Sequence, residues 1–301
     1  MEEKKRTIWL LGGPTASGKS ALALLLAERT GAVIINADSQ QVYAPLRILT
    51  ARPSMEEEAR AEHRLYGVLP GLEACSAGKW LELVKREIDA AHARGRPALV
   101  VGGTGLYLRV LREGIAPIPD IDPQVRQGIS AEYDGQGEAV FRQALKAADP
   151  DWEARIKPGD RQRLIRGMEV WRGTGRALSS WQQEVVIPPY PPDTILALQV
   201  AVERERLYRN CDARVARMFE AGAVEEVRAL SLPPEAAVRK VIGVPQISAM
   251  LAGAVTRDEA LYDIRLQTRH YAKRQMTWFR NQYRDAATIT RIEDAMERLH
   301  G

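Results

Sequence analysis

Between an apolar run, Thr7-Ile8-Trp9-Leu10-Leu11, and an Ala/Leu-rich stretch, Ser20 to Arg29, the chain reads Gly12-Gly13-Pro14-Thr15-Ala16-Ser17-Gly18-Lys19-Ser20. Residues Gly13 to Ser20 match G-x-x-x-x-G-K-[ST] in full, after an expected strand and opening an expected helix, which is the context that gives the motif its meaning. Glycines let successive backbone N–H groups turn inward around a diphosphate, and the positive end of the following helix adds to the attraction. Lys19 supplies a point charge on the phosphate oxygens, and the Ser20 hydroxyl is placed to hold a Mg²⁺ ion that bridges them. The competing reading is a ligand-free strand-to-helix turn. The motif specifies a diphosphate, not which one.

Working outward, Ala32-Val33-Ile34-Ile35-Asn36 leads into Ala37-Asp38, and Ala98-Leu99-Val100-Val101 leads into Gly102-Gly103. Nearly continuous apolar runs of this length suit strands buried on both faces of a parallel sheet. Gly31 stands where the first helix needs a C-terminal cap. The stretch from Trp80 to Arg94 carries apolar residues at 80, 83, 84, 88 and 91 before Gly95, a helical spacing. Strand, helix and strand at this rhythm predict an α/β fold, a doubly wound parallel sheet built around the phosphate loop (P-loop). Two proline clusters, at 115–123 and 187–192, interrupt it, and residues 124 to 186 between them look helical. Thr194 to Val200 then reads as another strand, and the last 100 residues are mostly helical. The organisation expected is a core of residues 1–118 and 190–301 with a helical insertion domain at 119–189.

The chain of 301 residues has a formal net charge of +4 and a pI of about 9.1, a weak tilt towards anionic partners. Its two cysteines, Cys75 and Cys211, and four histidines fit no metal-ligand spacing, which points to a reducing cytoplasm. The short apolar run near the N-terminus, broken by Gly12 and Gly13, is neither a signal peptide nor a membrane span. Nothing points to an obligate protein partner.

In nucleotide triphosphatases a second acid ends a hydrophobic strand and holds Mg²⁺. Here Ala98 to Val101 ends in Gly102-Gly103-Thr104-Gly105 without one, which argues against ATP hydrolysis. The acid comes earlier, as Asp38, in Asn36-Ala37-Asp38-Ser39-Gln40-Gln41-Val42-Tyr43. Ligands of doubly wound sheets bind outside the carboxyl ends of the strands, so Asp38, Thr104 and the loop at 13–20 share one edge. A carboxylate opposite a diphosphate grip suits a general base; a helix cap or a water-mediated metal ligand is the other reading of Asp38.

From Arg265 to Arg284 the chain carries Arg265, Arg269, Lys273, Arg274, Arg280 and Arg284 and no acid. On a helix all but Arg274 fall within an arc of about 100°, interleaved with His270, Tyr271, Trp278, Phe279 and Tyr283. A basic stripe with aromatics suits a phosphate backbone and unstacked bases; a solvated face over Leu266, Trp278 and Phe279 is the plain alternative. A second basic run, Arg161-Gln162-Arg163-Leu164-Ile165-Arg166, lies in the insertion, and two such patches favour RNA.

Together these segments resemble the bacterial tRNA dimethylallyltransferase (isopentenyl transferase) family over nearly the whole chain. The likeness rests on Gly13 to Ser20, Asp38-Ser-Gln-Gln-Val-Tyr43, Thr50-Ala-Arg-Pro53, Val101-Gly-Gly-Thr-Gly-Leu-Tyr-Leu108, Asp160-Arg-Gln-Arg-Leu-Ile-Arg166 and Tyr271-Ala-Lys-Arg-Gln-Met-Thr-Trp278. It implies transfer of dimethylallyl from dimethylallyl diphosphate to N6 of the adenine next to the anticodon, position 37 of the tRNA, with Mg²⁺ and release of diphosphate. Asp38 would then take the amine proton and Thr104 orient the amine. Loop amides, Lys19 and Mg²⁺ on Ser20 would stabilise the departing charge, and Arg214 matches a position that reaches the diphosphate. The adenine has to leave its stack to react, with Ser39, Gln40 and Gln41 reading its edge or a neighbour's. Arg126, Gln162, Arg163, Leu164, Ile165, Arg166, Arg239, Lys240, Arg269, Lys273 and Arg274 fall on the implied RNA path.

Three departures stand out: Lys157-Pro158-Gly159-Asp160 for His-Pro-Asn-Asp, Val244-Pro245-Gln246 for Tyr-Lys-Glu, and Ser20 where threonine is common. Serine keeps the hydroxyl. The rival functions are a small-molecule kinase, a prenyltransferase acting on free adenine nucleotides, and a non-catalytic RNA-binding protein with a vestigial loop.

Overall fold

Every residue of β1 (Ile8–Gly12) is buried, because this strand lies in the middle of a sheet covered on both faces. The computed structural model describes residues 7–300. After β1 come α1 (Lys19–Thr30), β2 (Val33–Asn36), α2 (Met55–Arg60), β3 (His63–Arg64), α3 (Ala77–Ala93), β4 (Ala98–Gly102) and α4 (Gly105–Glu113). Then follow α5 (Pro123–Ala148), α6 (Pro150–Glu153), α7 (Arg161–Thr174) and α8 (Leu178–Trp181). The chain returns through β5 (Ile195–Val200), α9 (Arg204–Glu220), α10 (Ala223–Arg228), α11 (Val244–Leu251), α12 (Arg257–Gln282), β6 (Ala287–Ile289) and α13 (Ile292–His300).

The six strands are all parallel, in the order β3-β2-β4-β1-β5-β6. β3 and β6, of two and three residues, were not foreseen; runs that short carry no periodic signal. Alternation along the strands sends Ile8, Leu10, Val33, Ile35, Ala98 and Val100 to one face, under α3, α4 and the end of α12. Trp9, Leu11, Ile34, Leu99 and Val101 face the other way, under α1 and α13. Trp80 of α3 is fully buried, stacks on Tyr107 at 4.4 Å and donates its indole N–H to the Asn36 carbonyl at 2.9 Å. Truncating such a side chain to alanine costs about 3–5 kcal/mol, and here it would also release the end of β2.

Register brings the chemistry together. Gly12 of β1 pairs with Gly102 of β4, and Asn36 of β2 pairs with Val101 of β4. The turns that leave these three strands therefore lie side by side at the carboxyl edge, where doubly wound sheets take their ligands.

The chain divides into two compact units, one running through Arg112 and resuming at Pro188, the other Glu113–Ile187. The second has its own core of Ile129, Phe141, Leu145, Leu164, Ile165 and Met168. Among the described residues it contains helices and no strand, and Gly137 (φ 78°) breaks α5 into two. No helix of the described residues is long and apolar enough to cross a membrane.

Candidate active site

The loop between β1 and α1 is held from several directions. Gly18 sits at φ 89°, a backbone state that strains any L side chain. Ala16 adopts φ 61° without being glycine, and such strain persists only where the surroundings over-determine it. Asn210 of α9 donates to the Ala16 carbonyl at 3.1 Å, and the Thr15 N–H donates to Oε1 of Gln275 at 2.7 Å. Pro14 O accepts from the Ser17 N–H (3.3 Å) and from Lys19 Nζ (3.2 Å).

Lys19 is buried, and burial pushes its ammonium down to about 8, against the opposing pull of the Asp38 charge and with the help of nearby Arg214. Burial likewise lowers Arg214, partly offset by Asp38. Two desolvated cations thus lie together beside one carboxylate. Ser20 is exposed beside it and lines the same cavity. Among the described residues no group of three or more His, Cys, Asp or Glu is placed to hold a metal. A Mg²⁺ fits this donor set only when ligand phosphates supply most of its oxygens.

Asp38 is 9% exposed at the end of β2. Its Oδ1 accepts the Gln40 N–H at 2.9 Å, so the carboxylate also closes its own turn. Asn36, wholly buried, fixes the turn: its Oδ1 accepts the Asp38 N–H (2.8 Å) and its Nδ2 donates to Asp38 O (3.0 Å) and Leu65 O (3.1 Å). Thr104 Oγ1 accepts the Ser39 N–H at 2.9 Å and donates to Ser39 Oγ at 3.2 Å. The Tyr271 phenol engages Thr104 as well, and burial, with Asp38 nearby, drives its ionisation far above the ordinary range. Sequence reading passed over Asn36 and Gln275 as site residues and placed Tyr271 only among the aromatics of the basic stripe. The one available signal was that Tyr271 and Gln275 fall in the segment 271–278.

Two cavities meet at this edge. One, of about 960 Å³, is lined by Ser17 to Ser20, Arg47, Arg52, Arg206, Arg214 and Arg217. The other, of about 30 Å³, is lined by Thr15, Asp38, Gln40, Arg214 and Tyr271 against Leu49, Val215, Ile242 and Ile264. Arg214 faces both and donates to the Thr50 carbonyl at 2.9 Å. One cavity therefore carries the phosphate loop, the other the carboxylate, and a guanidinium joins them.

Other expected residues are placed less simply. Gln41 donates its Nε2 to the Thr50 (3.0 Å) and Ala51 (2.8 Å) carbonyls, so this end of its amide braces its loop. Leu164 and Ile165 are buried in the insertion's core, which corrects their placement on an RNA path. Gln162 and Arg163 beside them are exposed, and Arg126 (3.6 Å) and Arg166 (3.3 Å) flank the buried Glu169. Arg239 turns back onto the carbonyls of Leu230, Leu232 and Pro233, capping the segment just past the end of α10. Lys240 is exposed. On α12 the stripe is uneven: Arg269 pairs with Asp212 at 3.6 Å, Lys273 and Arg274 are exposed, and Arg284 lies beyond the helix, which ends at Gln282. The buried face of α12 is Ile264, Thr268, Ala272, Gln275 and Phe279, so Leu266 and Trp278 are half-buried and not its core.

Residues 41–282 match the model of the IPP transferase family. The chain belongs to that family. Relatives within it include the tRNA dimethylallyltransferase of Rhodospirillum centenum, 50% identical over 92% of this chain and 89% of that one. That of Rhodopseudomonas palustris is 44% identical over 99% of this chain and 96% of its own length. Among solved structures, the tRNA isopentenylpyrophosphate transferase of Bacillus halodurans superposes with a TM-score of 0.69 at 29% identity, covering 98% of this chain and 95% of that one. A eukaryotic dimethylallyltransferase acting on tRNA shares the fold, with a TM-score of 0.79 at 24% identity over 97% of this chain and 77% of that one. This member of the IPP transferase family has the glycine-rich loop after β1 and the Asp38 turn at the same sheet edge.

Proposed function

We propose that this chain transfers a dimethylallyl group from dimethylallyl diphosphate to N6 of the tRNA adenine next to the anticodon, releasing diphosphate. One observation carries the reading: Arg214 lines both the cavity of the phosphate loop and the cavity of Asp38, so a donor's leaving group and an acceptor's amine meet at one guanidinium. The names of relatives at 44–50% identity along almost the entire chain support the same reaction.

In the step itself the bond from the allylic carbon to diphosphate oxygen breaks and the bond from that carbon to N6 forms. The N6 proton passes to the Asp38 carboxylate. That amine is barely nucleophilic, because its lone pair is delocalised into the ring, so proton removal as the new bond forms is what a carboxylate contributes. Negative charge grows on the departing diphosphate, and the loop N–H groups, Lys19 and Arg214 at this edge would stabilise it. Ser20 would hold a Mg²⁺ together with diphosphate oxygens, and that ion would supply further charge neutralisation. Thr104, tied to Ser39, orients the acceptor. Ser39 and Gln40 of this turn would meet the base. Gln162, Arg163, Arg126 and Arg166 on the insertion, with Lys240, Lys273 and Arg274 on the other unit, would contact the tRNA. A cytoplasmic setting follows from a tRNA substrate.

The test is transfer of radiolabel from dimethylallyl diphosphate to unmodified tRNA. Free AMP and a tRNA lacking the target adenine should remain unlabelled. Labelling of AMP instead would move the enzyme to free nucleotides, and label on neither acceptor would end the proposal.

A further inference from the structure

Gln275 belongs to none of the roles above, yet it is 5% exposed and both ends of its amide are used. Its Oε1 accepts the Thr15 N–H at 2.7 Å, in the loop that follows β1. Its Nε2 donates to the Gly103 carbonyl at 2.9 Å, in the turn that follows β4. A Cβ at Gly103 would strike the Gln275 amide and crowd the Gly13 carbonyl, so a side chain there would displace Gln275. A Cβ at Gly105 would strike the Trp278 ring one turn further along α12. This helix is thus seated directly on the turn that carries Thr104.

We propose that Gln275 is a positioning residue that couples the two substrate sites, fixing the separation between the diphosphate loop and the Thr104–Ser39–Asp38 turn. The inference rests on the transfer reaction proposed above and adds the element that sets its geometry. A carboxamide is suited to this because it accepts at one atom and donates at the other. A misplacement of about 1 Å between reacting groups is enough to slow a reaction a hundredfold.

The experiment compares Gln275→Met, which has similar length and makes neither bond, with Gln275→Glu, which makes both only when protonated. Transfer to tRNA is measured at several pH values from about 6.5 to 8.5, each rate divided by that of the parent enzyme at the same pH. Lys19, Asp38 and Tyr271, the titratable groups around this edge, are common to all three proteins and cancel in the ratio for the neutral Gln275→Met, which is the baseline against which Gln275→Glu is read. For Gln275→Met we expect a folded protein with kcat lowered about tenfold or more and a raised KM for donor, at a pH-independent ratio. For Gln275→Glu the ratio should climb several-fold as pH falls, because protonation restores the donor to Gly103. Thr104→Ala should also cost less in the Gln275→Met background than alone.

Parent-like kcat and KM in Gln275→Met would overturn the proposal. So would a flat ratio for Gln275→Glu, including the case in which Gln275→Met does not fold. Transfer by the parent enzyme tests the functional reading separately: without it that reading fails, whereas the coupling fails only if the parent transfers and these variants do so equally well.

Discussion

Lys19 makes the sharpest quantitative prediction. Its ammonium is buried beneath the phosphate loop and pushed down to about 8, chiefly by desolvation. In the free enzyme it is therefore about nine-tenths charged at pH 7 and about one-tenth charged at pH 9. Bound diphosphate favours the protonated form, so above pH 8 binding has to take up a proton and weakens as pH rises. The sign follows from the lowered value: charge is present below 8 and lost above it. Affinity for dimethylallyl diphosphate should drop about tenfold between pH 7 and pH 9, equivalent to about 1.4 kcal/mol. The donor's terminal phosphate, with a second pKa near 6, is about nine-tenths ionised by pH 7 and changes little in that window. Calorimetric titration at both pH values, without tRNA, reads the effect. Lys19→Met should bind more weakly at pH 7 and show no further loss at pH 9. Equal affinity at both pH values in the parent protein, or the same tenfold loss in Lys19→Met, would refute the reasoning.

Other expectations come from the same geometry. Ser20→Ala should raise the Mg²⁺ concentration needed for half-maximal transfer, and a chelator should stop transfer in the parent enzyme; an unchanged Mg²⁺ titration would remove Ser20 from the metal. Lys273→Glu with Arg274→Glu should weaken tRNA binding and reduce the slope of log affinity against log salt by about 1.5, measured by filter binding at several salt concentrations; an unaltered slope would mean that the end of α12 faces solvent alone. Arg239→Ala should lower the melting temperature, because the half-buried Leu230 and Leu232 carbonyls past the end of α10 lose their donor, at a cost of about 1 kcal/mol. Its affinity for tRNA should stay unchanged, and a tRNA defect without loss of stability would return Arg239 to the RNA path.

The phosphate loop and the four longer strands were legible because each leaves a local mark. A strand in the sheet's interior needs a mostly apolar run, and the tight turn from β1 into α1 needs Gly18 in a left-handed state. Asp38 and Thr104 were legible through topology, since turns at the carboxyl ends of adjacent parallel strands have to meet. What escaped was long-range bonding. Gln275 reaches across 260 positions to Thr15 and 172 to Gly103, and Asn36 works by gripping its own turn and Leu65. Helical spacing gave the basic stripe on α12 but not Asp212, which comes from α9 to pair with Arg269. Nor does a basic run announce that Leu164 and Ile165 within it fill a core while Gln162 and Arg163 do not.

The central claim is that a carboxylate on the turn after β2 takes the proton from the amine while the neighbouring loop holds the leaving group. Asp38→Asn isolates that function, because its amide oxygen can still accept the Gln40 N–H and keep the turn closed. Single-turnover transfer to tRNA, measured alongside donor binding, should show a loss on the order of 100-fold or more with donor binding largely intact. Transfer at the parent rate by Asp38→Asn would contradict the account.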